Sequence, residues 1–169
     1  MKTKLPAASM LNNHPHDYLD SYSTTLNTSS IAIEQVGRAF FSASPSWVDQ
    51  LLILRNRIVS FIGLKVPGAD TKEEVLRNFK CEVGESVALF NVLAKTENEV
   101  IFGEDDKHLN FRVSLFLDRQ NNLLTVSTLV KIHNALGHVY MLAIKPFHKI
   151  IVPTITKGMA RQSKESTNL

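Results

Sequence analysis

The sequence has little cysteine, little net charge and no long uninterrupted apolar run. Cys81 is the single cysteine among 169 residues, so an internal disulfide is excluded, and its spacing from the histidines matches no structural zinc site. The net charge is +3, from 19 Lys and Arg against 16 Asp and Glu, and aromatic residues do not interleave with the basic ones. These features argue against a nucleic-acid surface, and the lone thiol suits a reducing, cytoplasmic location.

Signals for export or membrane insertion are also missing. The basic start resembles the first part of a signal peptide, but Pro6, Asn12 and His14 follow where an apolar run is required. The most apolar stretch, residues 135–155, is interrupted by charged residues, histidines and Pro146 and is too broken for a span. We therefore expect neither a cleaved leader nor a transmembrane helix.

What the chain does have is the composition of one globular domain. Hydrophobic residues make up 44% and charged residues 21%, values at which a packed core forms. Residues 1–16 and 161–169 are polar and aperiodic, and they are predicted to be a mobile N-terminal arm and a flexible tail. Residues 17–160 contain no repeat or linker, so they are predicted to form a single domain.

The first half of this domain predicts one strand and two helices. Alternation over residues 18–26 indicates a strand, and Ser30 is a candidate cap for a helix that ends near Ser42. A second helix is predicted over residues 44–63, because Ser44 and Pro45 form a strong start signal and Gly63 an end. Its apolar arc contains Trp47, Val48, Leu51, Leu52, Leu54, Ile58, Val59, Phe61 and Ile62.

The second half predicts an antiparallel meander followed by a long helix. Strands are predicted over residues 87–93, 99–103, 109–117 and 123–132, and alternation in the last two indicates a sheet with one wet face. A helix follows from 135 to about 160, with a kink at Pro146. Its predicted apolar side is Tyr140, Ile144, Phe147, Ile150, Ile151 and Ile155, and its predicted outer side is His138, Lys145, Lys149 and Thr156.

This order of elements, in an α+β fold, resembles the helix-grip fold, in which a meander curls around a long C-terminal helix. Separated motifs carry a more specific resemblance: Pro45-Ser46-Trp47, Leu54-Arg55, Gly63-Leu64, Gly103-Glu104-Asp105-Asp106, His108-Leu109-Asn110-Phe111-Arg112, Gly137 with Tyr140, and Pro146-Phe147-His148. Over residues 17–158 the chain resembles a bacterial domain-of-unknown-function family, the one numbered 2867. The resemblance implies kinship with START-like, SRPBCC-like and polyketide-cyclase-like proteins, and occasional occurrence beside short-chain-dehydrogenase-like domains. It implies no known reaction.

Arg55 is the first candidate for a ligand contact. It falls inside the apolar arc of the second helix, where a guanidinium needs a carboxylate, carbonyl groups or a bound anion as its partner. An internal ion pair, or an arginine side chain that reaches past the apolar stripe to water, also explains the position. Trp47, from the same arc, is a second candidate ligand contact.

Three further candidates belong to the meander and the last helix. His148 and Tyr140 could reach a cavity under the sheet and exchange protons there, although both could also be packing residues. Phe111 could line an apolar pocket or simply belong to the core. The acidic turn at residues 104–106 with His108 shows no credible metal-ligand spacing, and no glycine-rich dinucleotide motif is present, so neither metal nor cofactor is expected.

These residues leave three functions open. The first is binding of a small apolar or amphipathic molecule, anionic if Arg55 anchors it, between the sheet and the last helix. The second is an enzyme of cyclase or dehydratase type that uses His148 and Tyr140 in the same cavity. The third is an interaction module without a small ligand, for example one accessory to a short-chain-dehydrogenase-like protein. The sequence leaves the oligomeric state undetermined.

Overall fold

The computed structural model describes residues 1–27, 30–43 and 72–165, which form an α+β fold. In chain order its elements are β1 (Tyr18–Thr25), α1 (Ile33–Ser42), α2 (Lys72–Asn78), β2 (Ser86–Val87), β3 (Phe90–Lys95), β4 (Glu99–Asp105), β5 (Leu109–Asp118), β6 (Leu123–Ile132) and α3 (Ala135–Glu165). The predicted fold class is confirmed. The helix predicted over residues 44–63 lies outside the described residues, together with Trp47 and Arg55.

The strands form one antiparallel sheet in the order β1-β6-β5-β4-β3-β2. The meander from β3 to β6 agrees with the sequence prediction, and β6 has the predicted bounds. The single strand predicted over residues 87–93 is wrong, because Ala88 adopts a left-handed φ of 56° that separates β2 from β3. The first strand of the chain pairs with the last, so β1 becomes an edge of the sheet.

The main core lies between α1, α3 and one face of the sheet, here called the inner face. Val113, Leu115 and Leu117 of β5 point to this face, as the period-two pattern predicts. From α1, Val36 and Phe40 pack against them, and Phe40 stacks on Phe102 of β4 with ring centroids 6.0 Å apart.

Close packing also holds α1 against the segment before β2. A Cβ atom at Gly37 would lie 2.5 Å from Sγ of Cys81, so only glycine permits this approach. Cys81 is fully buried, and burial raises the pKa of its thiol to about 11. The thiol is therefore protonated at neutral pH and acts as a small core side chain.

The start of α1 differs from the prediction. The N-cap is Ala32, not Ser30, and the helix begins at Ile33. The side-chain carbonyl of Gln35 accepts a 3.2 Å hydrogen bond from the backbone N–H of Ala32. The side chain of Gln35 thus satisfies the backbone N–H of the N-cap residue, whereas the Ser30 hydroxyl was predicted to accept from an N–H of the first turn.

The face that α3 buries was predicted correctly at Ile155, and at Tyr140 and Ile151, which pack against the core clusters, but wrongly at other positions. Phe147 and Ile150 are 40% and 58% exposed, whereas Thr156, placed on the outer side by the helical wheel, is 1% exposed. The buried side consists of Met141, Val152, Ile155, Thr156 and Met159. Thr156 tolerates burial because its hydroxyl donates a 2.7 Å hydrogen bond to the carbonyl oxygen of Val152. The helix continues through Pro146 and Pro153, and the kink at Pro146 stays a prediction.

The opposite face of the sheet, the outer face, is covered by residues from the N-terminal segment. Leu11 is 1% exposed and packs on Ile101 and Leu129. The expected wet face is therefore wrong for this part of the sheet, where Ser114 and Ser127 are completely buried. The mobility of residues 1–16 stays a prediction, while their contacts explain why small polar residues on the outer face are sheltered from water.

Because Val113 is 5% exposed on the inner face, replacing it with Asp should unfold the protein. A buried, unpaired carboxylate costs several kcal/mol, which is comparable to the whole stability of a domain of this size. Leu93→Asp is the matched control, since Leu93 lies in β3 but is 39% exposed. Urea unfolding of both variants checks this, and equal midpoints would contradict the assigned inner face of β5.

Candidate functional site

Two polar side chains lie next to each other on the inner face, where the neighbouring residues are apolar. Asp20 in β1 is the direct antiparallel partner of Thr128 in β6. Tyr22 and its partner Val126, two residues along each strand, belong to the main core. Since alternate residues of a strand share a face, Asp20 and Thr128 point into the same interior, with Cβ atoms about 5 Å apart.

Asp20 is 6% exposed and has one satisfied oxygen. The hydroxyl of Tyr18 donates a 2.6 Å hydrogen bond to its Oδ2. Its Oδ1 is buried and has no hydrogen-bond partner in the described part of the chain. Thr128 is in the same situation: it is 1% exposed, and its Oγ1 is buried without a partner among residues 1–27, 30–43 and 72–165.

The last helix adds a histidine to this pair. The ring of His148 meets the ring of Tyr18 edge to face, with centroids 6.4 Å apart and planes at 70°. The Nδ1 atom of His148 is buried and also lacks a hydrogen-bond partner within the described ranges. One turn earlier on α3, Nζ of Lys145 lies 5.5 Å from the centroid of the Tyr18 ring. We call Tyr18, Asp20, Thr128 and His148 the inner polar group.

Burial and the Asp20 carboxylate set the protonation states of the inner polar group. Burial lowers the pKa of His148, and the negative charge of Asp20 opposes this shift. Burial also raises the pKa of Tyr18, and its hydrogen bond to Asp20 raises it further. At neutral pH the imidazole of His148 is therefore neutral and the phenol of Tyr18 is protonated.

Three of the predicted site residues lie close to the inner polar group. Tyr140 of α3 and Phe111 of β5 pack, like Tyr18, against a small apolar cluster of Leu109, Val130 and Met141. His148 belongs to the group itself. Arg55 and Trp47 fall outside the described residues, so their roles stay predictions, as do those of Tyr140, Phe111 and His148 in binding or catalysis.

Sequence reasoning missed Asp20, Thr128 and Tyr18, although the patterns contained a signal. Asp20 interrupts the inner-face series of β1 between Tyr18 and Tyr22, and Thr128 interrupts that of β6 between Val126 and Val130. Each interruption alone is ordinary, because a single polar residue in a strand has many explanations. Only the register of the β1–β6 ladder shows that the two interruptions face each other.

The acidic turn at residues 104–106 is held to its neighbours by side-chain contacts. In the acidic turn, Asp105 forms a 2.6 Å ion pair with Arg112, and Oδ1 of Asp106 accepts a 3.1 Å hydrogen bond from the backbone N–H of His108. A Cβ at Gly137 would overlap the carbonyl oxygen of His108, so α3 packs closely on this turn. The described residues contain no group of three or more His, Cys, Asp or Glu placed to hold a metal ion.

A second buried carboxylate lies on the outer face and has a complete set of partners. Glu99 is 2% exposed, and its Oε1 accepts hydrogen bonds from the hydroxyls of Ser9 at 2.6 Å and Ser114 at 2.5 Å. Its Oε2 accepts a 2.8 Å bond from the backbone N–H of Met10. Glu99 therefore fixes the N-terminal segment to the sheet and leaves no carboxylate oxygen unpaired, unlike Asp20.

The pH dependence of stability should report the environment of His148. Because its pKa is lowered in the folded state, the unfolded chain binds this proton first as the pH falls. The stability that the folded protein has with a neutral His148 is fully present above the ordinary histidine pKa of 6.5. It is lost as the pH falls through the lowered pKa of His148 in the folded state. We expect His148→Gln to flatten the fall in stability between about pH 7 and about pH 5.5, as urea unfolding at a series of pH values would measure.

The pKa of His148 should also depend on the charge of Asp20. Its negative charge favours the imidazolium form, so Asp20→Asn should lower the pKa of His148 further. Titration of the ring protons by NMR checks both shifts. A pKa of His148 at or above its ordinary value in the wild type would contradict the buried position assigned to Nδ1.

Comparisons with known proteins identify the family of the chain but assign it no ligand and no reaction. No curated protein and no solved structure matches the chain, so the kinship with START-like proteins stays a prediction. No helix among the described residues is long and apolar enough to cross a membrane. One family model, described as protein of unknown function (DUF2867), matches residues 13–155, which include the whole sheet and most of α3. The chain therefore belongs to the DUF2867 family, as its motifs predicted.

Proposed function

We propose that the protein binds a small amphipathic molecule between the β1–β6 end of the sheet and α3, with the polar end of that molecule at the inner polar group. The observation that supports this most directly is the set of three buried atoms without partners on facing elements: Oδ1 of Asp20, Oγ1 of Thr128 and Nδ1 of His148. Native proteins pair almost all buried polar atoms with protein groups, ordered water or a ligand.

The energetic cost of the unpaired atoms strengthens this reasoning. A buried donor or acceptor left without a hydrogen bond costs about 1–3 kcal/mol, and three of them together are a large part of the stability of a domain. The outer face shows that this fold can satisfy a buried carboxylate completely, as it does at Glu99. A ligand that bonds to the three inner atoms would offset the same cost.

The surroundings suit the apolar part of such a molecule. Val130 lies two residues after Thr128 on the same face of β6, and it packs with Leu109 and Met141. Phe111 and Tyr140 border this cluster on two different elements. An apolar chain that leaves the inner polar group along β6 would contact these side chains and would lose contact with water.

Acid–base catalysis at the same place is the second candidate function. It is favoured by one arrangement: a neutral histidine lies near a carboxylate, and a phenol bonded to that carboxylate stays protonated. Such a histidine could take a proton from a bound substrate while Tyr18 or Thr128 orients it. Turnover of a bound molecule that His148→Gln abolishes without loss of binding would favour catalysis over binding alone.

Two threonine-to-valine variants, one in the proposed binding site and one outside it, test the proposal. In the ligand-free protein, Thr128→Val should increase the free energy of unfolding by about 1–3 kcal/mol, because a methyl group replaces a buried hydroxyl without a partner. Thr156→Val is the matched control: Thr156 is also 1% exposed, but its hydroxyl is bonded, so this change should cost about 1 kcal/mol. Urea unfolding measures both changes.

Native mass spectrometry of the freshly purified protein completes the test. A molecule that copurifies with the wild type and with Thr156→Val, but is lost from Thr128→Val, would support the proposed site. Destabilisation by Thr128→Val with no effect on any bound molecule would show that the hydroxyl is satisfied within the chain, and the proposal would fail.

A further inference from the structure

We propose that the ligand group held by the inner polar group is a primary amine in its ammonium form. This inference rests on the proposed function and names the chemistry of that same site. Its basis is the match between three buried acceptors without partners and the three N–H donors of an ammonium group.

Each of the three atoms can accept a hydrogen bond. Oδ1 of Asp20 is the second oxygen of a carboxylate whose other oxygen already receives the Tyr18 hydroxyl. Oγ1 of Thr128 has free lone pairs, and Nδ1 of a neutral His148 accepts when the ring proton is on Nε2. Asp20 and Thr128 are direct partners across two strands, and His148 approaches Tyr18 from α3, so the acceptors come from three different elements.

The charges around the site favour a cation over the alternatives. The titratable groups that β1 turns to this interior are Tyr18, Asp20 and Tyr22, and those of α3 nearest to it are Tyr140, Lys145 and His148. Nζ of Lys145 lies over the Tyr18 ring, 5.5 Å from its centroid. A ligand carboxylate would be repelled by Asp20, and a ligand hydroxyl would supply only one donor for three acceptors.

Three ligands with one common chain test the inference: hexylamine, 1-hexanol and hexanoate. Each is titrated into the wild-type protein by calorimetry in phosphate buffer, because amine buffers would compete for the site. We expect hexylamine to bind at least about tenfold more tightly than hexanol, as hydrogen bonds to charged groups are the stronger ones, and hexanoate to bind least.

Two matched substitutions locate the binding. Asp20→Asn should weaken hexylamine binding by at least about tenfold, since it removes the charge but keeps the size of the side chain. Asp118→Asn makes the same change at the end of β5, where the Asp118 carboxylate accepts hydrogen bonds from Asn121, and it should leave binding unchanged. Equal weakening by the two variants would overturn the proposal, because it would show binding to general negative charge.

The remaining outcomes separate this inference from the proposed function. Tightest binding of hexanol or hexanoate, lost in Thr128→Val, would overturn the amine and would leave the binding site in place. If none of the three binds, no donor from a ligand of this kind reaches the inner polar group. In that case both the amine and the proposed site fail.

Discussion

The antiparallel pairing of β1 with β6 is the constraint on which the rest of this structure depends. Eight residue pairs, from Tyr18 with Val130 to Thr25 with Leu123, join the first strand to residues 98 to 112 positions later in the chain. Because α3 follows β6 directly, this ladder also places the last helix over β1. The inner polar group exists only because of it, since Asp20, Thr128 and His148 come from the two strands and the helix that the ladder brings together.

The two faces of the sheet bury polar side chains in different ways. On the outer face, the N-terminal segment supplies donors to Glu99, and Ser21 and Ser127 satisfy each other with a 2.8 Å hydrogen bond. On the inner face, the buried atoms of Asp20, Thr128 and His148 have no such donors in the described ranges. Native proteins pair most buried polar groups, and Glu99, Ser21 and Ser127 on the outer face follow this rule. The two faces of the sheet therefore differ in how completely the described residues satisfy these buried groups.

Helical periodicity was a poor guide to α3 for a physical reason. Leu142, Phe147 and Ile150 lie on the exposed side, and Met141, Val152 and Ile155 on the buried side, so apolar residues occur around most of the helix. A wheel identifies the buried face only when polar residues mark the other side. Here the packing against β1, β6 and α1 decides which apolar residues are covered. His148 is turned toward Tyr18 by that packing, and no local pattern specifies it.

The sequence by itself determined the class of the fold, the bounds of β1, β5 and β6 to within a residue, and membership of the family. Each of these depends on alternation, turn residues or motifs within a short stretch of chain, where neighbouring side chains carry the information. Such patterns do not predict long-range packing. In residues 1–16, for example, no local feature indicates that Leu11 and Ser9 contact β4. The tertiary structure alone decided the register that opposes Asp20 to Thr128 and the rotation of α3 that adds His148. Both depend on contacts between residues far apart in sequence, which a short-range pattern cannot specify.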